Sequence, residues 1–158
     1  MEFKEIIARR HSVRKFTDQM VDREIIDEMI EEAMAAPSSK NSRSTGFMIV
    51  EDKSLLEAIS VMRESGSAFV KDAAAAIVVL GDTSKTDLWV DNASIATTFL
   101  MLSAVDKGLG SCWVHVNERP RSKTDASKGM AEDYIRELLG IKDNMKVLCV
   151  LALGYEAE

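Results

Sequence analysis

The sequence predicts an α+β fold, and three observations lead there. Apolar residues recur at helical spacing in several segments. Continuous apolar runs of strand length lie between them. The two kinds of element mix without the strict strand–helix–strand alternation of a doubly wound sheet. At 158 residues the chain is expected to form one domain, residues 1–158, large enough to bury roughly 70% of the surface its unfolded form exposes.

Phe3, Ile6 and Ile7 stand at i, i+3 and i+4, so the chain opens with a short amphipathic helix ending near Arg10. Asp22 is placed to cap a second helix whose apolar stripe is Ile25, Ile26, Met29, Ile30, Ala33 and Met34. Pro37 and the polar run 38–45 end it in a loop. Residues 46–50 read as strand, 54–62 as helix, and 74–80 as an apolar strand covered on both faces. The longest helix is expected over residues 87–107, with Gly108 just past its end. Ile95, Ala96, Phe99, Leu100, Leu102 and Ala104 leave it little polar face, which suits burial at the centre of an assembly. Residues 111–116 give a third strand and 117–130 a polar loop expected to be mobile. Residues 131–139 give a helix closed by Gly140, and 145–153 the last strand.

The formal charge is −6, with 46% apolar and 29% charged residues. This acidic balance argues against a nucleic-acid or membrane-surface partner, either of which asks for a basic face. Cys112 and Cys149 are far apart and no Cys-x-x-Cys or His-x-x-x-His spacing occurs, so two buried thiols are expected and no structural zinc. The first residues hold no apolar leader core, and the apolar stretch 95–105 is short for a membrane span. A cytoplasmic protein is expected.

Against the overall charge stands Arg9-Arg10-His11-Ser12-Val13-Arg14-Lys15. A helix C-terminus gathers cations against its dipole, which accounts for Arg9 and Arg10. Ser12 and Arg14 go further. In an extended segment, residues 10, 12 and 14 share one side, so two guanidiniums flank a hydroxyl and can grip a phosphate at several points. Gly108-Leu109-Gly110-Ser111-Cys112-Trp113 is not a dinucleotide fingerprint, because its third glycine position is Trp113 and it follows a helix and precedes a strand. Cys112 and His115 would point to opposite faces of a strand, which argues against a nucleophile–base pair.

Four segments, in order, resemble signatures of the FMN-dependent nitroreductase family. They are Arg10-His11-Ser12-Val13-Arg14, Ala36-Pro37-Ser38-Ser39-Lys40-Asn41-Ser42, the helix with Asp91-Asn92-Ala93-Ser94-Ile95-Ala96 followed by Gly108 to Val114, and Leu151-Ala152-Leu153-Gly154-Tyr155. The resemblance implies a three-layer fold, a central mostly antiparallel sheet flanked by helices, in an intertwined homodimer with one FMN at each of two interface sites. Arg10, Ser12 and Arg14 would hold the FMN phosphate and ribityl chain, with His11 adding backbone or ring contacts. Pro37, Ser38, Ser39 and Asn41 would approach the same flavin from the other subunit. Trp113, Val114 and His115 would lay backbone along the isoalloxazine edge, one N–H donating to flavin N5. NADH or NADPH would be the reductant, and the acceptor a small electron-poor molecule such as a nitroaromatic, quinone or enone. No protein acid or base is then needed, because the redox chemistry belongs to the flavin.

Two departures from the family pattern carry expectations of their own. Arg43-Ser44-Thr45-Gly46 stands where members carry Gln or Arg, Pro and an aromatic, which predicts a looser loop. Many members also have a basic arm after the last strand; here the phosphate would rest on the N-terminal clamp with Lys40 or Arg43. These departures keep two alternatives open: a non-catalytic flavin-binding or regulatory protein of the same fold, and a flavin-modifying or dehalogenating relative.

Overall fold

The computed structural model describes residues 1–158. Four strands, β1 (Thr45–Val50), β2 (Ala75–Asp82), β3 (Gly110–His115) and β4 (Met145–Gly154), form one sheet in the order β1-β2-β4-β3. Every neighbouring pair is antiparallel. Five helices accompany it: α1 (Phe3–Arg9), α2 (Arg23–Met34), α3 (Lys53–Ser60), α4 (Trp89–Asp106) and α5 (Ala131–Leu139).

The two central strands explain the layering. Successive side chains of a strand point to opposite faces. Ala75, Ile77, Val79, Leu151 and Leu153 therefore enter one core with Ile26, Met29 and Ala33 of α2 and Ala93, Leu100 and Ala104 of α4. Ala76, Val78, Leu80, Val150 and Ala152 enter a second core with Leu56 and Ile59 of α3 and Ala131 and Ile135 of α5. Both faces are apolar because both are covered, which is why residues 74–80 carry no alternation. The expected α+β, helix-flanked antiparallel sheet is the fold observed. A register shift opposite Val79 and Leu80 leaves Leu148 as the extra residue of β4, so Leu148 and Cys149 both serve the α2/α4 core.

Helix ends follow local chemistry. The Asp52 carboxylate accepts the Leu55 N–H at 3.1 Å and starts α3. Gly140, at φ 64, ends α5 where expected. One expectation fails. Met34, placed on the buried stripe of α2, is 58% exposed, because α2 ends there in the turn before Pro37. Ile95 and Phe99 of α4, expected to be buried at the centre of an assembly, are 39% and 37% exposed in the single chain, on the side turned from the sheet. Residues 117–130, read as a polar loop, carry hydrogen bonds of their own. Pro120 bridges Met130, and the Arg121 N–H donates to Gly129 O at 3.0 Å. The Ser122 hydroxyl accepts N–H groups of Thr124 and Asp125.

The segment after α1 lies against the end of the sheet. Ser12 bridges Ser111 in parallel, and the Val13 N–H donates to Ser111 O at 3.0 Å. Further on, the Thr17 N–H donates to Tyr155 O at 2.8 Å and the Ala157 N–H to Lys15 O at 3.0 Å. Val13 is buried, and a Cβ on Gly110 would lie only 2.7–2.9 Å from its side-chain carbons. Gly110 is thus a glycine of close approach. Gly110→Ala is expected to lose about 1–3 kcal/mol through overpacking, read by urea unfolding, with faster amide exchange at Val13. Unchanged stability and exchange would show that the contact is slack.

Candidate functional site

Val13 is buried, so the residues on either side of it are turned outward, and Arg10, Ser12 and Arg14 are all exposed. Neither guanidinium enters an ion pair. Arg14 lies with its guanidinium carbon 6.0 Å from the ring centroid of Phe69. His11 behaves differently. Its Nδ1 lies 2.8 Å from Arg9 O and its Nε2 2.9 Å from the Glu156 carboxylate, so both ring nitrogens are engaged and only its backbone stays available to a ligand.

Beyond this clamp runs the edge of β3. The Val116 N–H donates to Leu148 O, while Ser111 O receives the Val13 N–H. In an antiparallel ladder the peptide groups alternate in direction, so those of Trp113 and His115 point away from β4, to the open edge. Those of Val114 point inward and its side chain is buried, so Val114 offers the edge nothing. The Trp113 indole Nε1–H donates to His115 Nδ1 at 3.1 Å, which puts the neutral ring's own proton on Nε2. Cys112 lies on the opposite face from His115, as expected, and burial pushes its thiol pKa up, with Arg14 opposing less strongly.

The second element is the loop between α2 and β1. Its keystone is Asn92 of α4, which is 3% exposed. Asn92 Oδ1 accepts the Ser39 N–H at 2.9 Å. Its Nδ2 donates to the hydroxyls of Ser39, Ser42 and Ser44 at 3.2, 3.2 and 3.0 Å. Arg43 closes the loop from outside, donating from Nη1 to Met34 O at 2.7 Å and from Nε to Asn41 Oδ1 at 3.0 Å. The Arg43 N–H donates to the Ser38 hydroxyl at 3.1 Å. Within this frame Lys40, Asn41 and Arg43 hold φ of 51, 53 and 51°. Each left-handed non-glycine costs roughly 1–3 kcal/mol and persists only where its surroundings dictate it. The looser loop expected from Arg43-Ser44-Thr45-Gly46 is therefore absent. Ser38, Ser39 and Asn41 spend their side chains building the loop. Pro37 is exposed at a small pocket lined by Ala33, Met34, Ala36, Phe47 and Ala96.

The clamp and the loop do not meet within one chain. Ser12 sits beside Ser111, level with Leu153, Ala75 and the far end of β1, whereas the loop enters β1 at Thr45 on the other edge. Strand spacing and rise put about 25 Å between them.

Comparison with known proteins gives this arrangement a family. The model of the family described as the nitroreductase family matches residues 7–63 and 57–155. A protein of Methanothermobacter thermautotrophicus, provisionally named NADH dehydrogenase/NAD(P)H nitroreductase, is 35% identical across 100% of this chain and 79% of its own length. Among solved structures, an FMN-dependent nitroreductase from Clostridium difficile R20291 superposes with a TM-score of 0.90 at 38% identity, over 97% of this chain and 87% of the other. A nitroreductase family protein from Clostridium novyi NT gives 0.85 at 29% identity, over 100% and 87%. The chain belongs to the nitroreductase family.

As a nitroreductase-family oxidoreductase, the chain keeps its clamp and its loop at opposite corners of the sheet. Asn92 is the loop-building residue that periodicity does not single out, although it lies in the segment Asp91 to Ala96. The available signal was an asparagine in the first turns of a helix whose other buried polar residues, Thr97 and Ser103, are small hydroxyls. Asn92→Ala would leave the Ser39 N–H and three hydroxyls without their partner. A loss of about 1–3 kcal/mol is expected, with faster exchange of the Ser39 amide; slow exchange in the variant would mean that Arg43 alone holds the loop.

The two histidines should titrate apart. Hydrogen bonding to Glu156, then to Arg9 O, raises the His11 pKa above 6.5. Burial, then Arg119 and Arg63, lowers that of His115 below 6.5. The His11 contribution to stability is then present below pH 6.5 and fades as pH rises through its raised value, while that of His115 is present above 6.5 and fades as pH falls through its lowered value. NMR titration should show midpoints on opposite sides of 6.5, with Glu156→Gln bringing His11 down; coincident midpoints would contradict both environments.

Proposed function

We propose that the protein is an FMN-dependent oxidoreductase that passes electrons from NADH or NADPH through bound FMN to a nitroaromatic, a quinone or a similar electron-poor acceptor. The observation that carries this reading is the open edge of β3: outward Trp113 and His115 peptide groups, with Ser12 beside its start and the exposed Arg10 and Arg14, in no ion pair, on either side of Ser12 in sequence. The residues present fit the group. Two guanidiniums and a hydroxyl suit a phosphate monoester and its sugar-alcohol chain. Unpaired N–H groups of an edge strand suit the polar rim of a flat heterocycle. When bound, FMN supplies the electron relay, and the protein supplies binding, orientation and electrostatics. The N–H of Trp113 or His115 donates to the ring edge, while the clamp fixes the phosphate end. Orientation of this kind asks for no catalytic acid–base pair.

The same reading makes the functional unit a homodimer. Two signature elements about 25 Å apart in one chain can serve one ligand only if the loop of a second copy reaches the clamp of the first. The exposed apolar residues support this: Phe3 and Ile7 of α1, Met34 at the end of α2, and Ile95 and Phe99 of α4. Pro37 and the backbone of residues 38–41 would then face the partner's site, held there by Asn92. A cytoplasmic setting agrees with two free buried cysteines, Cys149 being pushed up to about 12 by burial, and no helix is long and apolar enough to cross a membrane.

Purified protein is expected to show oxidised-flavin absorbance after FMN addition and to oxidise NADPH when given a nitroaromatic; bound flavin without turnover would favour a non-catalytic flavoprotein. Arg10→Ala/Arg14→Ala should weaken FMN far more than riboflavin. Charge-assisted hydrogen bonds contribute about 1.5–3 kcal/mol each, so roughly two to four decades of FMN affinity are at stake. Parallel weakening of both flavins would put the phosphate elsewhere. Sedimentation should report twice the 17.5 kDa chain mass; a stable 17.5 kDa species would remove the dimer from the reading.

A further inference from the structure

A second group of cations lies toward the His115 end of the open edge, distinct from Arg10 and Arg14. The turn after α3 and the turn at residues 120–123 face each other across a crevice lined by Arg63, Glu64, Ser65, Pro120, Arg121 and Lys123. Its lips are stapled together. The Glu64 N–H donates to Arg121 O at 2.8 Å. Arg121 Nε and Nη2 donate to Met62 O and Val61 O at 3.1 and 3.0 Å, and its guanidinium lies 3.9 Å from the centroid of Tyr134. Arg121 is therefore a fixed wall. Glu64, the one carboxylate in the lining, is neutralised by Lys128 at 2.7 Å.

Two cations are left over. Arg63 and Lys123 are in no ion pair, in a chain whose net charge is −6. The Arg63 Nε is buried and has no hydrogen-bond partner. A desolvated guanidinium N–H without an acceptor is costly, and an anion beside the Arg63 guanidinium would offset that cost. The neighbouring Glu118 holds φ 57, a left-handed turn that carries the chain from the end of β3 into Arg119 and the crevice wall. After burial, Arg119 and Arg63 are what lower proton affinity at His115, so the positive field reaches the last residue of the open edge.

We infer that this crevice binds phosphate groups of the nicotinamide dinucleotide reductant, with Arg63 and Lys123 as the charged contacts. The assignment rests on the flavin reading of the β3 edge for its choice of ligand. A planar guanidinium fork beside an exposed ammonium suits a diphosphate or a ribose phosphate better than a lone carboxylate. A nicotinamide ring over the edge and phosphates in the crevice would place one molecule across both.

The test is calorimetric titration of FMN-reconstituted protein with ADP, adenosine 2′,5′-bisphosphate and adenosine. Both phosphorylated probes should bind at least tenfold more tightly than adenosine. Lys123→Glu, a change at an exposed position, should weaken them by tenfold or more. Arg63→Ala/Lys123→Ala should abolish the preference while FMN absorbance stays unchanged. A preference for one phosphorylated probe over the other tells the diphosphate from the 2′-phosphate as the group held. Equal binding of adenosine and ADP, or ADP binding indifferent to Lys123→Glu, overturns the assignment. Protein that takes up no flavin but still binds ADP through Lys123 would sink the flavoenzyme reading and leave the phosphate crevice standing.

Discussion

Buried peptide groups must be paired, and in this fold that single requirement decides where chemistry is possible. β2 and β4 are flanked on both sides and covered on both faces, so their peptide groups are consumed and their side chains are core. Only the outer edges of β1 and β3 keep free backbone. The N-terminal segment occupies the first part of the β3 edge through Ser12 and Val13 and then leaves it for the end of β4. What remains open is short and begins where Arg10 and Arg14 are held. Such an edge invites pairing with another chain, and a tryptophan–histidine pair, cations and a ligand are ways of occupying it.

Much of this architecture could be read in advance, because it follows from periodicity. Residues 131–139 carry a helical stripe bounded by Gly140, and the helix has those bounds. The apolar run 74–80 announces a strand with two covered faces. Period-2 placement of residues 12 and 14 puts both opposite Val13, and Val13 is buried while they are exposed. What could not be read depends on partners distant in sequence. Asn92 meets the serines of a loop some fifty positions away, and His11 meets Glu156 from the other end of the chain. No local pattern carries such pairings. Ile95 and Phe99 are exposed in the single chain, and in sequence an apolar helix looks alike whether its second neighbour is the same chain or another.

The loop at residues 38–44 shows how a departure in sequence can leave the structural demand intact. Without a proline and an aromatic to stiffen it, the loop is made rigid by three serine hydroxyls converging on one amide and by an arginine that returns to the helix before it. Three residues in left-handed conformation are strain held in place by that network. Rigidity here comes from a buried polar cluster, which makes it sensitive to single changes in a way that a packed aromatic is not.

The corner-to-corner separation of clamp and loop has a genetic consequence. In the dimeric reading each site draws its clamp from one chain and its loop from the other. A chain defective in Arg10 and Arg14 and a chain defective in Asn92 therefore carry lesions that can complement. In the mixed dimer both lesions fall on one site, and the other site is assembled entirely from sound parts. Two inactive alleles expressed together would thus recover up to half the activity per dimer, whereas two alleles damaged within the same element would recover none.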